Sequence, residues 1–141
     1  MNDVSPARPT VLFICTRNVG RSQLGAHLLE LVAGDRFDAR SGGVSPAKEP
    51  SPTIVATLAE LGVDAAQAHP RAVTAEDLQL ADVVVTMTAG LPLPGPVAGK
   101  LIGWTFPDPT SWGEDGAREL RDRIHTAVTV LAERLRPTAA A

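Results

Sequence analysis

The chain has 141 residues, of which 44% are hydrophobic, and its formal net charge at pH 7 is −3. This length is enough for one domain with a proper core, and the scattered basic residues argue against nucleic acid as a partner. No stretch approaches the length of an apolar membrane span, and no charged-then-apolar signal segment opens the chain. A single cysteine excludes an intrachain disulfide, so the sequence predicts a reducing, cytoplasmic location.

The first predicted elements are a strand and a helix. Residues 1–9 are polar with two prolines and predict a disordered leader. Residues 11–14 are apolar and β-prone, which predicts a buried strand, and the helix after them carries an apolar stripe. The stripe consists of Leu24, Leu28, Leu31 and Val32, and Gly34 with Asp35 ends the helix.

The next segments predict a second strand and a second helix. Residues 37–41 form the strand, and Gly42-Gly43 would let backbone pass close to the preceding loop. Ser51 is the predicted N-cap and Pro52 the first residue of the helix, which Gly62 ends. Its apolar face consists of Ile54, Leu58 and Leu61. Residues 74–77 are similar to a capping box, with Asp77 in the place usually taken by Glu or Gln.

The second half of the chain supplies two more strands and the longest helix. Residues 83–87 are nearly all apolar, as in a parallel strand covered on both faces. Residues 88–99 contain three prolines and predict a long loop, and residues 100–104 predict the fourth strand. The last helix runs from Glu114 to a stop at Pro137. Its buried face is predicted to contain Ala117, Leu120, Ile124, Val128, Leu131 and Leu135.

The alternation of strands and helices predicts a single α/β domain over residues 10–136, with residues 137–141 as a flexible tail. The strands are expected to form a parallel sheet with right-handed crossovers, in a three-layer arrangement with helices on both faces.

The loop between the first strand and helix contains the only cysteine, Cys15, and Arg21 follows six residues later as a C-x5-R pattern. A loop that leads into a helix N-terminus directs several N–H groups at one point, where a tetrahedral oxyanion can bind. Arg21 would add a planar, bidentate clamp, and the same field favours the thiolate form of Cys15. The predicted oxyanion-binding residues are Thr16, Arg17, Asn18, Val19, Gly20, Arg21 and Ser22.

Two side chains of this loop suit supporting tasks. Asn18 tolerates a left-handed backbone conformation, and the Ser22 hydroxyl can donate to the sulfur of Cys15. The alternative is that Cys15 is an inert buried thiol, as lone cysteines usually are. The arginine at the right offset, the asparagine, the serine and the strand-to-helix setting together favour a nucleophile.

The loop sequence CTRNVGRSQ, residues 15–23, resembles the phosphate-binding loop of the low-molecular-weight protein tyrosine phosphatase superfamily, which includes one class of arsenate reductases. The resemblance continues through residues 41–43, 81–87 and 104–109. It implies a phosphatase I-like fold with four parallel strands in the order 2-1-3-4. In the superfamily a serine–glycine turn supports the loop from behind, so the resemblance makes Ser41 a supporting residue.

Asp108 stands between two prolines in a loop that leaves the last predicted strand. That loop lies at the same sheet edge as Cys15, and ligands of open α/β sheets bind at this edge. A nearby thiolate would favour the protonated carboxyl, which suits a general acid for the leaving group. Pro-Asp-Pro alone is a common turn, but the matching aspartate of the family is the general acid.

The resemblance leaves two reactions open, and four features favour arsenate reduction over phosphatase activity. Gln23 stands where the phosphatases usually have proline, and Thr110-Ser111 where they have tyrosines. Residues 83–100 look like the reductase version of that segment. No basic or aromatic platform for a protein substrate is evident, apart from Trp112. A non-catalytic oxyanion-binding protein is a third possibility.

Reductases of this family that use thioredoxin have two further cysteines, whereas this chain has none after Thr88. The resemblance therefore implies no tightly bound cofactor and an external thiol, mycothiol or glutathione, with a redoxin to complete the cycle. No metal is expected, since His27 lacks partner ligands at matching spacing. Arg71 is placed near the rim of the site, where it either attracts an anion or is a solvated charge. Arg17, where glycine is common, either adds positive charge or points to solvent.

Overall fold

The computed structural model describes residues 8–108 and 113–135, so most of the predicted leader, the predicted tail and the stop at Pro137 lie outside the described residues. The described elements are β1 Thr10–Cys15, α1 Arg21–Ala33, β2 Asp38–Gly43, α2 Pro52–Ala59, α3 Ala75–Leu80, β3 Val83–Thr86, β4 Lys100–Gly103 and α4 Glu114–Arg134. All strand pairs are parallel and the order is β2-β1-β3-β4, which confirms the predicted topology.

The central strand β1 separates two apolar layers. Val11 and Phe13 face a large cluster that includes residues of α1, α2 and α4, whereas Leu12 and Ile14 face a smaller one that includes Leu78 of α3. This alternation follows from the two-residue period of a strand, and it confirms the three-layer arrangement. No helix in the described ranges is both long enough and apolar enough to cross a membrane.

The helix starts follow their predicted caps. The Ser51 hydroxyl accepts from the N–H of Ile54 at 3.4 Å, and Pro52 is the first residue of α2. Thr74 and Asp77 form both bonds of a capping box, at 3.1 and 2.8 Å. Local sequence therefore determines where these two helices begin.

The predicted stripe of α1 is wrong at Leu31, which is 47% exposed. Leu29 and Ala33 are buried there together with Leu24 and Leu28. The reason is that α1 packs against α4 as well as against β1 and β2. The buried face of α1 is therefore wider than the predicted stripe, and Leu31 lies outside it.

Strand ends also differ from the prediction. β2 runs on through Gly42 and Gly43, because Gly43 pairs with Cys15 at the end of β1. β3 and β4 each end one residue early, before Met87 and Trp104, yet both residues still donate to carbonyls of neighbouring strands at 2.8 Å.

A buried guanidinium joins α4 to α2. Arg121 is 8% exposed and donates to the Thr57 carbonyl at 2.9 Å and to Glu60 Oε1 at 2.7 Å. Hydrogen bonds from Arg121 and then Arg118 lower the pKa of Glu60. Thr57 lies in the last turn of α2, where carbonyls have no partner within the helix, so Arg121 satisfies a buried acceptor.

We expect Arg121→Met to lower the free energy of unfolding by about 1–3 kcal/mol, because the buried Thr57 carbonyl loses its donor. The control is Arg118→Met on the same helix, whose ion pairs are more exposed and should contribute less than about 1 kcal/mol. Urea denaturation of both variants measures the difference. Equal losses would contradict the assignment of the larger effect to burial.

Candidate active site

Cys15 is the last residue of β1, and its side chain lies at the start of α1. The residue is 2% exposed, and Sγ lies 2.9 Å from Ser22 Oγ and 3.3 Å from the backbone nitrogen of Asn18. Asn18 has a φ of 56°, which confirms its predicted left-handed conformation. Because a hydroxyl and an amide can both donate to sulfur, this setting is suited to a negatively charged Sγ.

The loop carbonyls are turned away from the sulfur by the segment that follows β2. Three consecutive carbonyls accept backbone hydrogen bonds from that segment. They belong to Cys15, Thr16 and Arg17, and their donors are Val44, Ser45 and Ala47 at 3.2, 2.8 and 3.1 Å. In a planar trans peptide the carbonyl and the next N–H point in opposite directions. The N–H groups that follow these carbonyls are therefore turned to the other side, and that of Asn18 points to Sγ.

Gly43 allows this segment to pass directly behind the loop. A Cβ at Gly43 would lie 2.8 Å from the Thr16 carbonyl oxygen and 3.0 Å from the nitrogen of Asn18. This confirms the prediction that the glycine pair permits a close backbone approach. Ser41 lies two residues earlier, opposite Phe13, and in the described part of the chain it makes no hydrogen bond to the loop. The support seen here comes from backbone, and the role predicted for Ser41 stays a prediction.

Asn18 is fully buried and uses all its polar groups. Its Nδ2 donates to Ser22 Oγ at 2.8 Å, and its Oδ1 accepts from the N–H of Arg71 at 2.9 Å. Its carbonyl accepts from Gln23 Nε2 at 3.1 Å, and Gln23 Oε1 lies 3.1 Å from His27 Nε2. Sequence reasoning missed both supports. Arg71 is 53 positions from Asn18, so no local sequence pattern links the two. In the sequence, Gln23 indicates only the arsenate reductase branch of the family.

Arg71 therefore contributes its backbone to the site, while its charge is engaged elsewhere. Its Nη1 lies 3.1 Å from Asp77 Oδ2 at the start of α3. Burial would raise the pKa of Asp77, but hydrogen bonds from Arg71 and Thr74 outweigh it and the pKa is lowered. The exposed Arg71 side chain thus forms an ion pair with Asp77, which is neither of the two predicted outcomes.

His27 lies on α1 one turn after Gln23 and is half-buried. Burial lowers the pKa of His27, and the nearby charge of Glu30 only partly opposes this shift. Within residues 8–108 and 113–135 no three His, Cys, Asp or Glu side chains form a group that could hold a metal ion.

Arg21 connects the loop to the segment that carries Asp108. Arg21 is the first residue of α1 and is 8% exposed, and its Nη1 donates to the Phe106 carbonyl at 2.9 Å. The N–H of Phe106 donates to the Met87 carbonyl at 3.0 Å, so both backbone polar groups of Phe106 are hydrogen-bonded. Asp108 follows two residues later and is exposed. The fold thus brings Cys15, Arg21 and the Asp108 segment to one edge of the sheet.

The remaining predicted residues of the site divide into three groups. Gly20 is buried and its carbonyl accepts from the N–H of Leu24, which begins the hydrogen bonding of α1. Thr16 and Val19 are partly exposed, and Arg17 is exposed. The predicted residues Thr110, Ser111 and Trp112 lie outside the described part of the chain.

A buried cysteine beside a helix N-terminus, with an arginine six residues later and loop carbonyls turned outward, defines the class of enzymes that bind an oxyanion against a cysteine sulfur. Residues 10–91 match the family described as low molecular weight phosphotyrosine protein phosphatase. The chain belongs to this family, as the loop sequence predicts.

Named relatives place the chain in the arsenate reductase branch of the family. An arsenate reductase of Halalkalibacterium halodurans is 30% identical over 135 residues, which cover 89% of this chain and 96% of that protein. The structure of a thioredoxin-dependent arsenate reductase of Corynebacterium glutamicum is 33% identical with a TM-score of 0.78. That match covers 94% of this chain but only 63% of the other.

The same fold also occurs in a phosphatase of the family. The low molecular weight protein tyrosine phosphatase from T. tengcongensis superposes with a TM-score of 0.81, covering 90% of this chain and 99% of that one. Its sequence identity is 23%, so this likeness concerns the fold alone.

Proposed function

We propose that this protein is an arsenate reductase in which the Cys15 thiolate attacks a bound arsenate. The observation that carries this proposal is the position of Sγ, which accepts from the Asn18 N–H and contacts the Ser22 hydroxyl at the N-terminus of α1. A tetrahedral oxyanion bound by the loop amides would place its central atom next to that sulfur. The names of the relatives, which are arsenate reductases, favour arsenate over phosphate as the substrate.

The first step exchanges one bond for another. Cys15 Sγ forms a bond to arsenic, the bond from arsenic to one hydroxyl oxygen breaks, and Asp108 donates the proton with which that oxygen leaves as water. Arg21 and the loop amides stabilise the charge on the remaining oxygens. Arsenic in this adduct is still pentavalent.

The reduction itself requires two thiols from outside these residues. Cys15 is the single cysteine of the 141 residues, so a small external thiol, mycothiol or glutathione, takes the arsenic from its sulfur. A second thiol, supplied by a redoxin, then attacks the sulfur of the small-thiol adduct. This forms a mixed disulfide, and the electron pair left on arsenic gives arsenite. A reducing cytoplasm would maintain the supply of thiols.

The test is a steady-state assay of arsenite release with and without the external thiol. We expect arsenite to form when mycothiol or glutathione is present together with a redoxin system, and not when either is omitted. Arsenite released with no added thiol, or no arsenite in any combination, would contradict the proposal.

The second candidate function is hydrolysis of phosphate monoesters through a phosphocysteine. The family match over residues 10–91 favours it, because the same loop would bind a phosphoryl group. Hydrolysis of p-nitrophenyl phosphate well above the background of Cys15→Ser would support it. Tight phosphate binding with neither activity would instead indicate a non-catalytic oxyanion-binding protein.

Replacement of Asp108 by asparagine tests the general acid. We expect turnover to fall by about 10²–10⁴-fold, because the leaving oxygen loses its proton donor. The alkaline limb of the pH profile should flatten as well, because that limb reports the loss of the proton from the general acid. The measurement is kcat against pH for both proteins, with Glu76→Gln on α3 as the control for the loss of one surface carboxylate. An unchanged profile would remove Asp108 from the mechanism.

A further inference from the structure

The carbonyl of Asn18 is held differently from the three before it in the loop. The carbonyls of Cys15, Thr16 and Arg17 accept from backbone N–H groups of residues 44–47. The Asn18 carbonyl instead accepts from the carboxamide of Gln23, at 3.1 Å. Of four consecutive peptide groups, the last is therefore oriented by a side chain.

We propose that Gln23 is a positioning residue for oxyanion binding, because it fixes the peptide group between Asn18 and Val19. In that planar group the N–H of Val19 points opposite to the Asn18 carbonyl. Because Gln23 holds the carbonyl, it also fixes the direction of this N–H. Gln23 thus supplies for the fourth amide what the backbone after β2 supplies for the first three.

The Gln23 carboxamide is itself held in one orientation. Gln23 is 6% exposed, and its Oε1 lies 3.1 Å from Nε2 of His27, one helical turn away. The His27 ring can donate from Nε2 to Oε1, which leaves the Gln23 amide free to donate to Asn18. Both side chains also border a cavity of about 500 Å³ between α1, β2 and residues 68–71, so an altered side chain has room there.

The expected effect separates anion binding from the reactivity of the sulfur. Gln23→Met has nearly the same size but no donor, and one lost hydrogen bond corresponds to about a tenfold weaker binding of inorganic phosphate. The reactivity of Cys15 should stay at its normal level. The Asn18 N–H that points to Sγ is oriented by the bond between Arg17 and Ala47, which Gln23 does not touch.

Two measurements test this separation. Titration calorimetry gives the affinity for inorganic phosphate, and the rate of alkylation by iodoacetamide against pH reports on Cys15. Gln79→Met is the matched control, since Gln79 Nε2 also donates to a backbone carbonyl, that of Pro96 at 2.9 Å, away from the loop. The control should retain both properties. Gln23→Leu, which is uncharged, similar in volume and also lacks a donor, serves if the methionine variant does not fold.

The inference rests on the anion site of the proposed function, but neither measurement involves arsenate turnover. A protein that binds phosphate and does not reduce arsenate would overturn the proposed function and leave the role of Gln23 standing. Unchanged phosphate affinity in a folded Gln23 variant would overturn that role. Equal losses of phosphate affinity and of sulfur reactivity would also overturn it, since they would show a general loosening of the loop.

Discussion

Replacement of Cys15 by serine is expected to abolish turnover while leaving oxyanion binding in place. A serine hydroxyl is not ionised at neutral pH, so the attacking group is lost and the rate should fall by a factor on the order of 10⁴ or more. Three of the loop amides are oriented because the carbonyls that precede them accept from N–H groups of residues 44–47, and the sulfur is not needed for this. Phosphate affinity measured by calorimetry should therefore remain within a few-fold of the unaltered protein.

The sulfur can also be tested directly, because Cys15 is the only thiol of the sequence. All alkylation by iodoacetamide then reports on this one side chain. We expect alkylation at pH 6 to be faster than that of free cysteine, and bound phosphate or arsenate to protect against it. Alkylation no faster than that of free cysteine, with no protection by oxyanions, would contradict the thiolate on which the proposed reaction depends.

Replacement of Arg21 by alanine should weaken both oxyanion binding and turnover. Loss of one charged donor to the developing charge costs about 3–4 kcal/mol, or about 10²–10³-fold in rate. The substitution also removes the bond from Arg21 Nη1 to the Phe106 carbonyl. The segment that carries Asp108 therefore loses a hydrogen bond to the loop. Because Asp108 acts in turnover and not in phosphate binding, the loss in rate should exceed the loss in phosphate affinity.

Two further variants separate the clamp from simple charge. Arg21→Lys keeps the cation but lacks the planar pair of donors, so it should recover only part of the lost affinity. Arg118→Ala removes a cation of α4 remote from the loop and should leave binding and turnover at their normal values. If Arg21→Ala and Arg118→Ala had equal effects, Arg21 would contribute only to the overall charge.

The local parts of the fold could be predicted from sequence because their causes are local. Ser51 and the Thr74–Asp77 pair begin helices through bonds that span three residues, and both were located from residue type alone. The strand order followed from resemblance of the loop to a known family. Leu31 was misplaced because the second partner of α1 is α4, about a hundred positions along the chain.

The sequence by itself determined the chemical groups of the site: a cysteine, an arginine six residues later, and an asparagine in a left-handed turn. Only the tertiary structure decided how that loop is held. Its first three carbonyls are bound by N–H groups of residues 44–47, its asparagine side chain by the backbone of Arg71, and its arginine by the Phe106 carbonyl. These partners are backbone groups, which every residue type except proline provides equally. No residue pattern in the sequence therefore predicts these backbone partners. They are brought to the loop only when the chain folds.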